Sequence, residues 1–120
     1  MAGLNKFKGS LSANNQAKQE FGSFEHNPSI VWSPHPPKSG ETVHIYYQGL
    51  LQESGAKEVF LHYGFDGWNS SETVPMEKNR DGSFGISIQA KGNREINFCF
   101  KDPLNNWDNN DGLNWALRIE

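Results

Sequence analysis

From Gly40 onward the apolar residues of this chain fall at every second position, in short runs separated by turn formers. Val43, Ile45 and Tyr47 alternate with His44 and Tyr46, and Val59, Leu61 and Tyr63 alternate with Phe60 and His62. Val74 and Met76 mark a weaker run. Phe84, Ile86 and Ile88 follow the turn Asn79-Arg80-Asp81-Gly82. Ile96, Phe98 and Phe100 make the next set, and Trp115, Leu117 and Ile119 the last. A period of two assigns each apolar set to one face of a strand. Short strands at this spacing, with turn signals between them, specify sheets that close over one core. The expectation is an all-β, immunoglobulin-like antiparallel β-sandwich with no long helix. A length of 120 residues suits one such domain.

The chain before residue 29 reads differently. Residues 1–28 are rich in Gly, Ser, Asn, Gln and Lys, and Leu4, Phe7 and Leu11 stand at roughly helical spacing that Gly9 and Ser10 interrupt. A helix this short is marginal alone. The segment reads as a flexible or loosely docked tail, or as a peptide that docks a partner, ahead of a folded module over 29–120. Ile30-Val31-Trp32 suggests a short strand stopped by Pro34, Pro36 and Pro37. Proline cannot continue a central ladder, so the strand is expected to lie at an edge or to end there.

Several functions are disfavoured by composition. Lys plus Arg number 11 against 14 Asp plus Glu, and the basic residues are scattered along the chain. A nucleic-acid binder concentrates them, so nucleic acid is not an expected partner. No apolar stretch reaches transmembrane length, so a membrane is not expected either. The first residues lack the apolar region of a signal peptide, and the chain as written reads as cytoplasmic. The single cysteine, Cys99, reads as a buried strand thiol. His26, His35, His44 and His62 lack the spacing of a zinc site. Asp108-Asn109-Asn110-Asp111-Gly112 invites a calcium loop, but its glycine comes one position early and Ile119 stands where the bidentate Glu belongs. Asp66 and Asp108 are imaginable as a glycosidase pair. Turn chemistry accounts for both more simply. No catalysis, metal or cofactor is expected.

What remains is a pair of tryptophans in polar turns and one histidine. His62-Tyr63-Gly64-Phe65-Asp66-Gly67-Trp68-Asn69 and Asn106-Trp107-Asp108-Asn109-Asn110-Asp111-Gly112 each place an indole among Gly, Asp and Asn after a strand. Those residues favour turns, where a large ring has no strand face to hide on. His62 lies on the outward side of its strand with Phe60. Sugars present apolar C–H faces and hydroxyl rims, and a flat ring flanked by amides and carboxylates matches both. Trp32 and Trp115 read as core residues.

The segment from about Val43 to Ile119 resembles the starch-binding carbohydrate-binding modules of family 25 and the related family 53. The matching pieces are VHIYYQG, EVFLHYGFDGW, a spaced DGSF, INFCFKD and NNWDNNDGLNW. The resemblance implies a non-catalytic sandwich that binds α-1,4-linked glucan polysaccharide or maltooligosaccharide. It places the platform on His62, Trp68 and Trp107, with polar partners from Asn109 and Asn110, then Asp66 and Lys101. It also implies a glucan-active enzyme as companion, with secretion if the module is cut from a larger amylolytic protein. A cytoplasmic module would meet glycogen or maltodextrin first. Two other readings compete: an immunoglobulin-like domain whose turn tryptophans bind a protein, and a module for a different polysaccharide.

Overall fold

The structure, a computed structural model, describes residues 20–25 and 27–120. The spacing of Leu4, Phe7 and Leu11 lies outside the described residues, as does His26. In chain order the elements are β1 (Gly22–Phe24), β2 (Asn27–Ser33), β3 (Thr42–Tyr47), the one-turn helix α1 (Leu50–Glu53) and β4 (Phe60–Phe65). They continue with β5 (Asn69–Pro75), β6 (Glu77–Lys78), β7 (Phe84–Gln89), β8 (Glu95–Lys101), β9 (Trp107–Asp108) and β10 (Trp115–Arg118). One sheet runs β1-β2-β3-β7-β6 and the other β10-β8-β4-β5, with β9 paired to β8. Every pairing is antiparallel. The fold is the all-β sandwich that the alternation predicts.

The inward faces carry the apolar sets. Val43, Ile45 and Tyr47 meet Ile88, Ile86 and Phe84 across β3 and β7. Leu61, Tyr63 and Phe65 lie opposite Phe100, Phe98 and Ile96 across β4 and β8. Tyr47 stacks on Phe100 with ring centroids 4.0 Å apart, which joins the two sheets through their centre. Trp32 and Trp115 are core residues, 4% and 6% exposed. Each large side chain buried in this way contributes roughly 1.5–3 kcal/mol.

One strand meets its expectation by a single route, and another departs from the pattern read in the sequence. β2 does end at Ser33, just before Pro34, but it is not an edge, because β1 pairs along its free side through Gly22↔Trp32 and Ser23↔Val31. The described part of the N-terminal segment therefore contributes an outer strand, with Phe24 packed 4.7 Å from the Trp32 ring. β5 is longer than Val74 and Met76 suggest. Its residues Asn69 to Thr73 are exposed, so no apolar alternation marks them. Such polar residues suit an edge strand, where apolar ones invite further pairing.

Candidate functional site

The sheet β10-β8-β4-β5 turns one face outward. On β4 this face carries Phe60, His62 and Gly64; across the ladder stand Lys101, Cys99 and Asn97 of β8 and, opposite His62, Thr73 of β5. The far edge of β8 is divided. β10 pairs with its first half, from Glu95 to Phe98, and β9 with its end, at Phe100 and Lys101. Trp107 therefore comes to lie directly beside Lys101.

The β4–β5 turn delivers the second ring. Asp66, Gly67 and Trp68 all have positive φ, at 50°, 88° and 70°. Gly67 takes that conformation freely, whereas for a bulky residue such as tryptophan it is strained. The turn folds back so closely over β4 that a Cβ on Gly64 would stand 2.9 Å from the Trp68 Cα. Asn97 holds it there: its Oδ1 accepts from both the Gly67 and Trp68 N–H at 2.9 Å, and its Nδ2 donates to Glu95 Oε2 at 2.7 Å.

The rings then meet. His62 lies almost parallel to Trp68, with centroids 5.4 Å apart and planes inclined by 22°. It meets Trp107 edge-on, at 5.8 Å and 82°. The two indoles are thus steeply inclined to one another, with the imidazole between them. His62 Nδ1 shares a hydrogen bond of 2.7 Å with the Thr73 hydroxyl, which fixes its ring plane. Lys101 Nζ lies 5.8 Å from the Trp107 ring and 5.3 Å from the Phe60 ring, a cation–π position toward each. Trp107 remains 44% exposed.

Trp107 is held from both sides. Ahead of it, the Asp102 carboxylate accepts from the Leu104 and Asn106 N–H and from the Asn106 side chain, closing the β8–β9 turn. Behind it, Asp108 Oδ2 accepts a 2.6 Å hydrogen bond from the Tyr47 hydroxyl, which itself accepts from the Leu51 N–H at 3.0 Å. Burial, and then the bond to Asp108, push the Tyr47 phenol above its ordinary range, so it remains a donor. Cys99, opposite His62 in the ladder, is buried. Its thiol is pushed up to about 11 by desolvation, with the Asp108 charge adding to it, and so is kept unreactive.

Three comparisons bear on this arrangement. The model of a starch/carbohydrate-binding module, family 53, matches residues 43–98. An α-amylase of Clostridium acetobutylicum is 40% identical to this chain over 81 residues, which make up 66% of the chain and 10% of that protein. The chain thus spans about a tenth of the length of that curated relative. No solved structure matches. The matched segment contains His62, Trp68 and Asn97 and ends before Trp107.

Of the residues singled out in the sequence, His62, Trp68, Trp107 and Lys101 come together on one face. Asn109 and Asn110 follow directly after β9 and spend part of their hydrogen-bonding capacity on the turn. Asn109 Oδ1 accepts from the Gly112 N–H at 2.9 Å, and Asn110 Nδ2 donates to the Asn114 carbonyl at 3.0 Å. The Asn109 NH2 and the Asn110 Oδ1 have no hydrogen bond among the described residues. Asp66 is employed elsewhere. Its carboxylate accepts from the N–H of Asn93, Arg94 and Glu95 at 2.7–3.0 Å, which stitches the β7–β8 connection to the β4–β5 turn. Those bonds hold its carboxyl below the usual range. Asn97, Thr73, Tyr47 and Asp108 support the rings, and the sequence did not single them out for that. Tyr47 carried the one signal, since an inward tyrosine must find a partner for its hydroxyl.

Proposed function

We propose that this domain is a non-catalytic α-glucan-binding module that holds starch, glycogen or maltooligosaccharide on Trp68, Trp107 and His62. The observation that carries the reading is the angle of the platform. His62 is parallel to one indole and perpendicular to the other. A flat β-1,4-linked ribbon lying on one indole would run past the other, whereas a curved α-1,4-linked chain presents successive C–H faces at changing inclinations. The Lys101 ammonium beside Trp107 offers one hydroxyl partner, and the Asn109 NH2 and the Asn110 Oδ1, which follow β9 in the chain, are the groups proposed to supply others. The family 53 match and the likeness to a short part of an α-amylase support the same ligand class, and a glucan-active enzyme as companion.

By analogy with base stacking, each aromatic–sugar stack contributes ~1–3 kcal/mol. Two stacks correspond to dissociation constants of roughly tens of micromolar to tens of millimolar. Retention on a polymer then depends on many sites per chain or on linked modules. The test is native electrophoresis through gels containing glycogen, soluble starch or a β-1,4-glucan. Retardation by the first two alone is expected. Retardation by the β-glucan alone points to another polysaccharide. Free migration in all three overturns the reading in favour of a protein partner.

A further inference from the structure

Each indole rests on a buried polar group that lies outside the platform. Beneath the β4–β5 turn, Asn97 is 7% exposed, and its amide oxygen takes two consecutive backbone N–H groups at residues with positive φ. The Glu95 carboxylate takes the amide's other end and so determines that the oxygen faces the turn. Without Asn97 the turn loses two hydrogen bonds at once, one from the Gly67 N–H and one from the strained Trp68. Beneath Trp107 the support comes from the opposite sheet. β9 is only two residues long and is held to β8 through Phe100↔Asp108 and Lys101↔Trp107. Tyr47 reaches it from β3, stacked on Phe100, and its hydroxyl joins Asp108 to the first turn of α1. Gly49 gives the tyrosine room, since a Cβ there would stand 2.7 Å from the ring.

We propose that Asn97 and the Tyr47–Asp108 pair are positioning clamps, one for each tryptophan, that fix the angle between the indoles before any ligand arrives. The inference rests on the α-glucan reading above and deepens it. A buried hydroxyl or amide is costly unless it is paired. Phenylalanine at 47 would fill the same space without needing a partner. The paired groups fix the direction of the two short segments that carry the rings. A platform set in advance does not spend binding energy on ordering itself.

The test crosses each clamp with each ring. Tyr47→Phe and Asn97→Ala are made alone and in Trp68→Ala and Trp107→Ala backgrounds, with Asp108→Asn as the conservative variant that keeps an acceptor. Fluorine NMR of protein labelled with fluorotryptophan reports on all four indoles without ligand. Tyr47→Phe should shift or broaden the Trp107 signal alone, and Asn97→Ala the Trp68 signal alone, while Asp108→Asn leaves Trp107 close to wild type. In titrations with a long maltooligosaccharide, Tyr47→Phe should weaken binding about threefold or more in the wild-type and Trp68→Ala backgrounds and less than about twofold in Trp107→Ala. Asn97→Ala should show the mirror pattern. Equal losses in every background, or disturbance of all the indole signals together, would mean general loosening and overturn the proposal. So would wild-type affinity and wild-type spectra for both variants. If the wild-type protein binds no α-glucan, the functional reading fails, and the ligand-free spectra still decide for or against the clamps.

Discussion

Trp68 combines two properties that a single substitution series separates. It is one of the two inclined indoles, and its backbone stands at φ 70°. A left-handed conformation costs a non-glycine residue about 1–2 kcal/mol. Alanine at this position keeps that cost, while glycine removes it and loses about 0.4–1 kcal/mol through the greater freedom of its unfolded chain. Trp68→Gly should therefore be more stable than Trp68→Ala by roughly 0–1.6 kcal/mol. At an ordinary strand position the order is reversed, with glycine about 0.5–1 kcal/mol worse than alanine. Both variants also lose the stack on His62, an aromatic pair of about 0.5–1.5 kcal/mol, so Trp68→Ala should fall below the wild type by about that amount, while relief of strain brings Trp68→Gly back toward the wild type. Both should lose about 1–3 kcal/mol of maltooligosaccharide binding. The assays are urea unfolding and calorimetric titration on the three proteins. If Trp68→Gly is clearly less stable than Trp68→Ala, the strain argument fails. If both variants bind like wild type, the platform assignment fails.

Trp115→Ala should do the reverse of the platform variants: it removes a buried ring between Phe98 and Phe100 and should cost about 3–5 kcal/mol in unfolding experiments, with affinity retained by the folded fraction. His62→Ala should weaken binding in the same titration by less than either indole, about 0.5–1.5 kcal/mol, since it removes one polar contact and an aromatic pairing. Asp66→Asn should lower the melting temperature at neutral pH, because the ionised carboxylate carries three backbone hydrogen bonds. Its carboxyl is held below the usual value of 3.8, so the advantage is complete above that pH and fades as the pH falls through the folded value; melting curves from pH 7 to pH 2 should converge. A gap that stays constant across that range would rule out this role. Cys99 should resist thiol reagents in the native protein and react once urea unfolds it, because burial keeps the thiol protonated.

The strands of the core could be read from the sequence because one face of each is buried and a period of two leaves a regular trace. β4 shows it clearly, and β8 keeps the period in its sequence although Asn97 and Cys99 on its other face are buried too; their register brings His62 opposite Cys99, on the outward side where the alternation places it. β1, β9 and the exposed part of β5 leave no such trace. Gly22–Phe24 and Trp107–Asp108 are too short for a period to appear, and Asn69 to Thr73 bury no face. The one-turn helix at Leu50–Glu53 has the same difficulty, since it buries only Leu51.

The site was legible to the extent that turn chemistry is. Gly, Asp and Asn around Trp68 mark a turn where the ring must project; Trp107 departs from that reading, because it opens the two-residue strand β9 paired to Lys101 and still leaves its ring 44% exposed. What fixes the rings is written in residues that look ordinary. In the alternation Asn97 reads as an outward polar residue on a strand, the commonest kind there is, and nothing in its neighbours says that its oxygen will accept from two N–H groups of the β4–β5 turn. Tyr47 belongs to an inward apolar set, and the sequence shows only that its hydroxyl needs a partner, not that the partner follows Trp107 sixty-one residues later. Asp66 shows the converse. Its place beside Trp68 suggests a ligand group, yet three backbone amides of a distant connection claim its carboxylate. Hydrogen-bond demand is visible residue by residue in a sequence, and its destination is settled only when strands from both sheets meet. The inclination of the indoles depends on those destinations, on Asn97 in β8 and Tyr47 in β3. On the proposed α-glucan reading, the choice between a curved and a flat glucan therefore rests on residues of both sheets and not on the two turns alone.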